Sequence, residues 1–388
     1  MNSSISKVLF TLLLLFVAVQ FFTLGNARGE IIDDSTPVPP VGDWGGPDRI
    51  LTDIEMEQWI RGRKIFDKDW RQSDGLGTPD MNADSCRACH QQPVIGGGGA
   101  LDTNVTQFGN DNGGAGPFVI LPGGLVASKL RRPDTPGRED ADPSADLFEQ
   151  RQTPSLLGAG LIDGIADSVI LANEDPFDND GDGVRGVARF IDTGSALEVG
   201  KFGWKSQIPT VSDFVRDALS GEIGLTVFDD GRGFGLLVDS DNVPDPEIPL
   251  SEYQDLIFYN QHLAAPPRAG GSVAEGEALF TSVGCATCHI PELPGANGPV
   301  ALYSDLLLHD IHDVDFRGTA EADAGVGLYR TPPLWGLRRS APYLHDGRAS
   351  TIEAAIEQHF DEAENSRLSY EALTSSEKEQ LLLFLQDL

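Results

Sequence analysis

Cys86-Arg87-Ala88-Cys89-His90 and Cys285-Ala286-Thr287-Cys288-His289 are two complete C-x-x-C-H motifs, and together they use all four cysteines of the chain. In such a motif the two thiols add to the vinyl groups of haem, and the adjacent histidine places its imidazole on the iron. Two intervening residues let both sulfurs reach one porphyrin edge while the histidine lies under the ring. A thioredoxin-like pair needs no trailing histidine, and a zinc ribbon would bring both pairs to one ion. The sequence therefore predicts two covalently bound haem c groups, one through Cys86 and Cys89 and one through Cys285 and Cys288, with His90 and His289 as axial ligands.

The surroundings of the two motifs repeat. Thr52-Asp53-Ile54-Glu55 and Ser272-Val273-Ala274-Glu275 both read as capping boxes that open a helix running toward a motif. Gly62 with Ile65-Phe66 matches Gly276 with Leu279-Phe280, and Thr153-Pro154-Ser155-Leu156-Leu157-Gly158 matches Thr331-Pro332-Pro333-Leu334-Trp335-Gly336. The expected fold is mainly α, two c-type cytochrome domains with long irregular loops, built from a duplicated haem module; chance similarity of short phrases is the alternative. Asn242, Pro244, Pro246 and Pro249 interrupt any regular element between 241 and 249. That places an N-terminal haem c domain with loop insertions at 51–245 and a C-terminal one at 250–388. Residues 96–146 are rich in Gly, Asn, Asp and Pro and read as surface loops, with Gly96 to Gly99 either letting backbone approach the porphyrin or forming a flexible turn.

The sixth position on each iron decides between electron transfer and ligand chemistry. His262, His309, His312, His345 and His359 remain as candidates. Thr351 to Phe360 reads as a helix capped by Ser350, with Ile352, Ala355, Ile356, His359 and Phe360 on its buried face, so His359 is the expected axial ligand. His345 reads as a turn residue held by Asp346. His359 lies 28 positions after Thr331 (359 − 331), and the same count from Thr153 reaches Gly181 in an acidic loop. The first module has no histidine besides His90 before residue 262, so its iron face is expected to lack a local histidine. In that loop Asp178, Asp180 and Asp182 precede Gly183 as in the first half of an EF-hand, a spacing that suits calcium. Arg189 at the twelfth position excludes a complete EF-hand and leaves a solvated acidic turn as the alternative.

Composition bounds the rest. The 388 residues carry 60 Asp plus Glu against 28 Lys plus Arg, a net charge of −32 that repels nucleic acid and anionic lipid. Lys7, the apolar run Val8–Phe22 and Gly25-Asn26-Ala27 read as a Sec-type signal peptide over 1–27, followed by an N-terminal extension over 28–50. The run is shorter than the roughly 20 residues of a spanning helix, so no stable membrane span is expected after cleavage, an uncleaved anchor being the alternative. A periplasmic or secreted protein follows, with its cysteines committed to haem and no disulfide expected.

Tyr329-Arg330-Thr331-Pro332-Pro333-Leu334-Trp335-Gly336-Leu337-Arg338, then Ala341-Pro342-Tyr343-Leu344-His345-Asp346-Gly347-Arg348 and Thr351-Ile352-Glu353-Ala354-Ala355-Ile356, resemble the bacterial di-haem cytochrome c peroxidase superfamily. More closely, the chain resembles the di-haem oxidoreductases, also called thiol oxidoreductase-like. Gly75-Leu76-Gly77 with Asn82, Gly160-Leu161, Phe202-Gly203-Trp204-Lys205 and Leu306-Leu307-Leu308-His309-Asp310 extend the likeness over 40–388. The resemblance implies that the C-terminal haem receives electrons and that its sixth ligand is His359, where the peroxidases usually place Met; imidazole in that place should lower the potential. It also implies that hydrogen peroxide is reduced at the N-terminal haem, although the labile histidine of the peroxidases has no visible counterpart. A distal acid and a hydrogen-bond donor are then needed, and Gln107, Asp163 and Glu174 are the candidates. Trp204 is a candidate bridge between the haems, or a core tryptophan. The implied function is an exported di-haem c-type peroxidase fed by a small redox protein or a quinol-linked donor. A non-catalytic electron carrier and an oxidase of a protein or organic substrate are the alternatives.

Overall fold

A computed structural model describes residues 31–77, 82–122, 126–127 and 141–388. The expected signal peptide over 1–27, with the first residues of the extension, lies outside them. Among the described residues are nine α-helices: α1 Asp53–Asp67, α2 Ala159–Asp163, α3 Asp167–Leu171, α4 Val211–Ala218, α5 Leu250–Gln261, α6 Ala274–Ser282, α7 Ile352–Ile356, α8 Glu364–Glu371 and α9 Ser375–Asp387. Nine short strands accompany them, so the expectation of a mainly α fold holds only for the motif-bearing helices. β1 Val105–Gly109, β2 Val126–Ala127 and β3 Leu147–Arg151 form an antiparallel sheet in the order β2-β1-β3, with Gln107 opposite Glu149. Three two-stranded ladders follow: β4 Phe190–Asp192 with β5 Leu197–Val199, β6 Leu293–Gly295 with β7 Gly298–Val300, and β8 Leu308–Asp310 with β9 Leu328–Arg330. The Gly- and Pro-rich composition accounts for the remainder: long connections that neither period organises.

The repeat is physical. α1 begins at Thr52, whose hydroxyl accepts from Glu55 N while Glu55 returns a bond to Thr52 N. It crosses α5 at Gly62, where a Cβ would stand 2.1 Å from the Asp255 carbonyl oxygen. α6 crosses α9 at Gly276 in the same way, 2.2 Å from the Gln380 carbonyl. Only glycine permits either approach. Each crossing seats an aromatic pair, Phe66 against Tyr259 at 5.3 Å and Phe280 against Phe384 at 5.3 Å. The expected capping box at Ser272 is absent: Val273 is the N-cap of α6 and makes no side-chain bond. Because α5 is the partner of α1, it closes the first module, and the boundary expected at 241–249 falls inside that module rather than after it.

Two apolar clusters form the interior. The larger joins Trp59, Phe66 and Trp70 to Tyr259 and Leu263 and continues into Leu302, Leu306 and Leu307; the smaller gathers Phe280, Tyr303, Tyr370, Leu381 and Phe384. No helix among the described residues is long and apolar enough to cross a membrane.

Candidate functional site

Each motif forms a single 3-10 turn, Cys86–Ala88 and Cys285–Thr287, after which the histidine N–H donates back to the carbonyl of the first cysteine at 3.0 Å in both motifs. Arg87 buries its guanidinium against Asp67 and Asp69 at the end of α1 and ties the first motif to that helix. Burial pushes the thiols of Cys86 and Cys285 up to about 12, keeping them protonated.

His90 and His289 are oriented alike. Nδ1 of His90 donates to the Gly97 carbonyl at 3.1 Å and Nδ1 of His289 to the Tyr303 carbonyl at 2.9 Å. A backbone acceptor on Nδ1 fixes the tautomer and turns Nε2 toward a metal. Gly97 reaches that position because it packs on the Gln92 carbonyl, where a Cβ would be 2.0 Å away. His359 follows the same pattern, with Nδ1 donating to the Ala355 carbonyl at 2.7 Å. The helix that carries it is shorter than expected: α7 ends at Ile356 and is capped by Thr351, not Ser350, so His359 sits in the turn beyond it. Burial, against the opposing pull of the Tyr303 carbonyl and with a push from His359, lowers the His289 imidazole to about 4, hence neutral and able to coordinate.

A cavity of about 330 Å³ runs from the second motif, past His289, His309 and His359, to Gly98, Gly99 and Thr153–Leu157 beside the first. Its walls repeat. Thr153-Pro154-Ser155-Leu156-Leu157 and Thr331-Pro332-Pro333-Leu334-Trp335 both line it. So do Phe202-Gly203-Trp204 and Tyr343-Leu344-His345. The latter two segments share a backbone: Phe202 bridges Ile208 and Tyr343 bridges Ala349, Gly203 and Leu344 take φ of 81° and 71°, and Ser206 and Gly347 both have positive φ. At the same spacing onward, Thr210 (φ −131°, ψ 160°) caps α4 and Thr351 (φ −132°, ψ 158°) caps α7. In this register Phe214 corresponds to Ala355 and Ala218 to His359. The count that reached Gly181 ran into an insertion; Ala218 is the counterpart.

His309 does not face the cavity as a free ligand. Its Nδ1 donates to Glu362 at 2.9 Å and its Nε2 to Asp305 at 2.8 Å, beside Cys288 Sγ at 3.8 Å. Burial opposes its charge, but the two carboxylates and the sulfur hold its pKa well above the ordinary value. His262 bonds Asp48 at 3.0 Å on the far side of α5. His345 lies in a turn, as expected, but Asp346 bonds Arg348 rather than holding it. It is buried, stacked on Tyr329 at 4.1 Å, and lies 3.3 Å from Glu149. Sequence reading missed this because Glu149 belongs to β3, far away in the chain; the alternation of β3, buried at Leu147, Glu149 and Arg151, was the available signal.

The three catalytic candidates do not line the cavity. Gln107 accepts from Thr319 behind Glu149, Asp163 accepts from Val211 N and Gln261, and Glu174 accepts from Ala188 N. Trp204 does line it, donating Nε1 to the Gln152 carbonyl and meeting the His345 ring at 6.4 Å. The carboxylate oxygens of Asp178, Asp180 and Asp182 lie within 4.8 Å of one another on an outer loop, while Arg189 turns inward to Glu321.

The family model described as "Di-haem oxidoreductase, putative peroxidase" matches residues 146–388. The methylamine utilization protein MauG of Methylorubrum extorquens is 29% identical over 133 residues, which are 31% of this chain and 35% of MauG. The chain thus spans about a third of the length of that relative. Among solved structures, a MauG-like protein associated with microbial copper homeostasis aligns with a TM-score of 0.43 at 17% identity, covering 92% of this chain and 94% of that one. Kuenenia stuttgartiensis hydrazine synthase aligns at 0.39 and 16%, covering 92% and 98%. With more than half its length matched by the family model, the chain belongs to the di-haem oxidoreductase family.

Proposed function

We propose that the protein is an exported di-haem c-type oxidoreductase that reduces hydrogen peroxide to water, H2O2 + 2H⁺ + 2e⁻ → 2H2O, with electrons from a small redox protein or a quinol-linked donor. Haem, when attached at Cys86 and Cys89 and at Cys285 and Cys288, supplies the electron-storing and peroxide-cleaving iron. The chain supplies the asymmetry. His289 and His359 face the cavity with Nδ1 of each anchored on a carbonyl, leaving two imidazoles for one metal and a closed, electron-accepting site. His90 is anchored likewise, but at the position that matches His359 in the shared register its module carries Ala218, which has no ligand atom. That exchange of Ala for His in one backbone register is the observation that carries the reading, since an unliganded face is what a peroxide needs. Export rests on residues 1–27 alone.

The electron paramagnetic resonance spectrum of the resting protein tests the reading. One high-spin and one low-spin ferric signal are expected, and His359→Ala should convert the low-spin one. Two low-spin signals without peroxide turnover would reject it in favour of an electron carrier. Calcium at Asp178, Asp180 and Asp182 belongs to the same reading; a melting temperature that ignores calcium and chelator would remove it.

A further inference from the structure

A haem held by Cys285 and Cys288 takes carboxylates as well as iron into the cavity, and burying an anion is unfavourable unless a cation meets it. Among the described residues that line the cavity, the permanent cations are Arg330, Arg339 and Arg367. Arg367 is held by Glu364 and Glu371, and Arg339 is exposed, lying over the Trp44 ring at 5.0 Å. Arg330 is different. It is only 7% exposed, and among the described residues no carboxylate hydrogen-bonds it.

Strand β9 fixes where that charge stands. Arg330 pairs with Leu308 of β8 and donates its backbone N–H to the Trp204 carbonyl at 2.8 Å. Its side chain returns to the same segment, Nε donating to the Gly203 carbonyl at 3.1 Å, while Nη1 donates to the Thr331 carbonyl at 3.2 Å. A guanidinium has five N–H groups, so three are left without a partner among the described residues. Asp305 acts on it only from a distance, since its own oxygens accept from Leu307 N and the His309 ring. Burial pushes the guanidinium down to about 10 against the pull of Asp305, which leaves it a cation at neutral pH. Lys205, next to Trp204, is the contrast: its ammonium is saturated by the carbonyls of Gly325, Val326 and Leu328.

The haem periphery is otherwise hydrocarbon, so of the peripheral groups it brings into the cavity only its carboxylates can accept from Arg330. We infer that Arg330 binds a carboxylate of the haem held by Cys285 and Cys288, its planar fork supplying the donors. The pair compensates the buried anion and makes reduction of that haem easier. Because Arg330 is also bonded to Gly203 and Trp204, the same contact ties the second haem to a segment of the first module. The inference rests on the haem c reading of the second motif and is independent of the open first site.

The test uses the two-haem protein with carbon-13 in its haem carboxylates, introduced by growth on 5-aminolaevulinate labelled at the carboxyl carbon, and its Arg330→Gln and Arg330→Lys variants. Reduced-minus-oxidised infrared spectra then isolate the labelled bands. Both variants should move a labelled carboxylate band, because lysine keeps the charge but not the fork; the lysine variant carries the test if the glutamine one fails to fold. Arg330→Gln should also lower one of the two midpoint potentials, favouring ferric iron about tenfold, which is about 59 mV for one electron. Labelled bands that stay in place in both variants would overturn the inference whatever the potentials do, since a cation acting through space needs no contact. The mass of the peptide bearing Cys285 and Cys288 separates the other failure: a peptide without haem would sink the haem reading of that motif, and the inference with it.

Discussion

The two halves of the molecule use the same parts to different ends. Both cross two helices over a glycine, both turn a C-x-x-C-H motif beside that crossing, and both fix the motif histidine through Nδ1 on a carbonyl. Both then run a threonine-capped helix past the cavity. Among the matched positions that differ, three bear on the cavity or its expected ligand: Trp204 against His345, Phe214 against Ala355, and Ala218 against His359. On the function proposed above, a scaffold duplicated in backbone detail would hold one closed and one open site through a few side chains, which is why function belongs to the site and not the fold.

The largest test of that comparison removes the chemistry from one half at a time. Replacing both cysteines of either motif by serine should remove one covalently bound haem and leave the other, read as the mass of the denatured chain. Retention of two haems in either variant would break the correspondence of the motifs. Next, Ala218→His installs in the first module what the second already has. It should replace the high-spin signal by a second low-spin one and reduce peroxide turnover to background. A persisting high-spin signal would show that position 218 does not face the iron as 359 does.

The modules also anchor their motifs differently. Arg87 ties the first to Asp67, whereas the second has His309 between Asp305 and Glu362 beside Cys288. His309→Gln leaves two buried carboxylates without their cation and should cost about 3–5 kcal/mol in thermal unfolding. Its folded pKa is raised, so its contribution is complete below the unfolded value of 6.5 and declines as pH rises through the folded value. The variant should therefore lose that alkaline decline along with the stability. A decline that survives the substitution would place the titrating group elsewhere.

Much of this comparison was legible in the chain. The motifs, the paired glycines and the T-P-x-L-x-G phrases are local, and each needs a particular residue type for a physical reason that sequence exposes. Other parts were not. Ala218 is an ordinary residue in an ordinary helix; only the shared turn and cap geometry reveal what it replaces, because an insertion in the first module defeats a count from Thr153. The turn at His345 was readable, but its partners Glu149 and Tyr329 come from β3 and β9, and long-range pairing leaves no local trace. The position of α5 was hidden by the prolines before it, which mark a loop within the first module as readily as a boundary after it.

The smallest expected effect bears on the repeat itself. Gly62→Ala and Gly276→Ala each place a Cβ within 2.2 Å of a carbonyl oxygen on the facing helix, Asp255 in one module and Gln380 in the other. Backbone cannot yield as a flexible side chain does, so each helix pair must open slightly and loosen the aromatic pair one turn away. Overpacking of this kind costs about 1–3 kcal/mol. Thermal unfolding of the two variants should show similar losses, because the contacts match in distance and in the type of atom met. A loss at only one glycine would mean that one crossing has relaxed, and that the duplication survives there in sequence but no longer in packing.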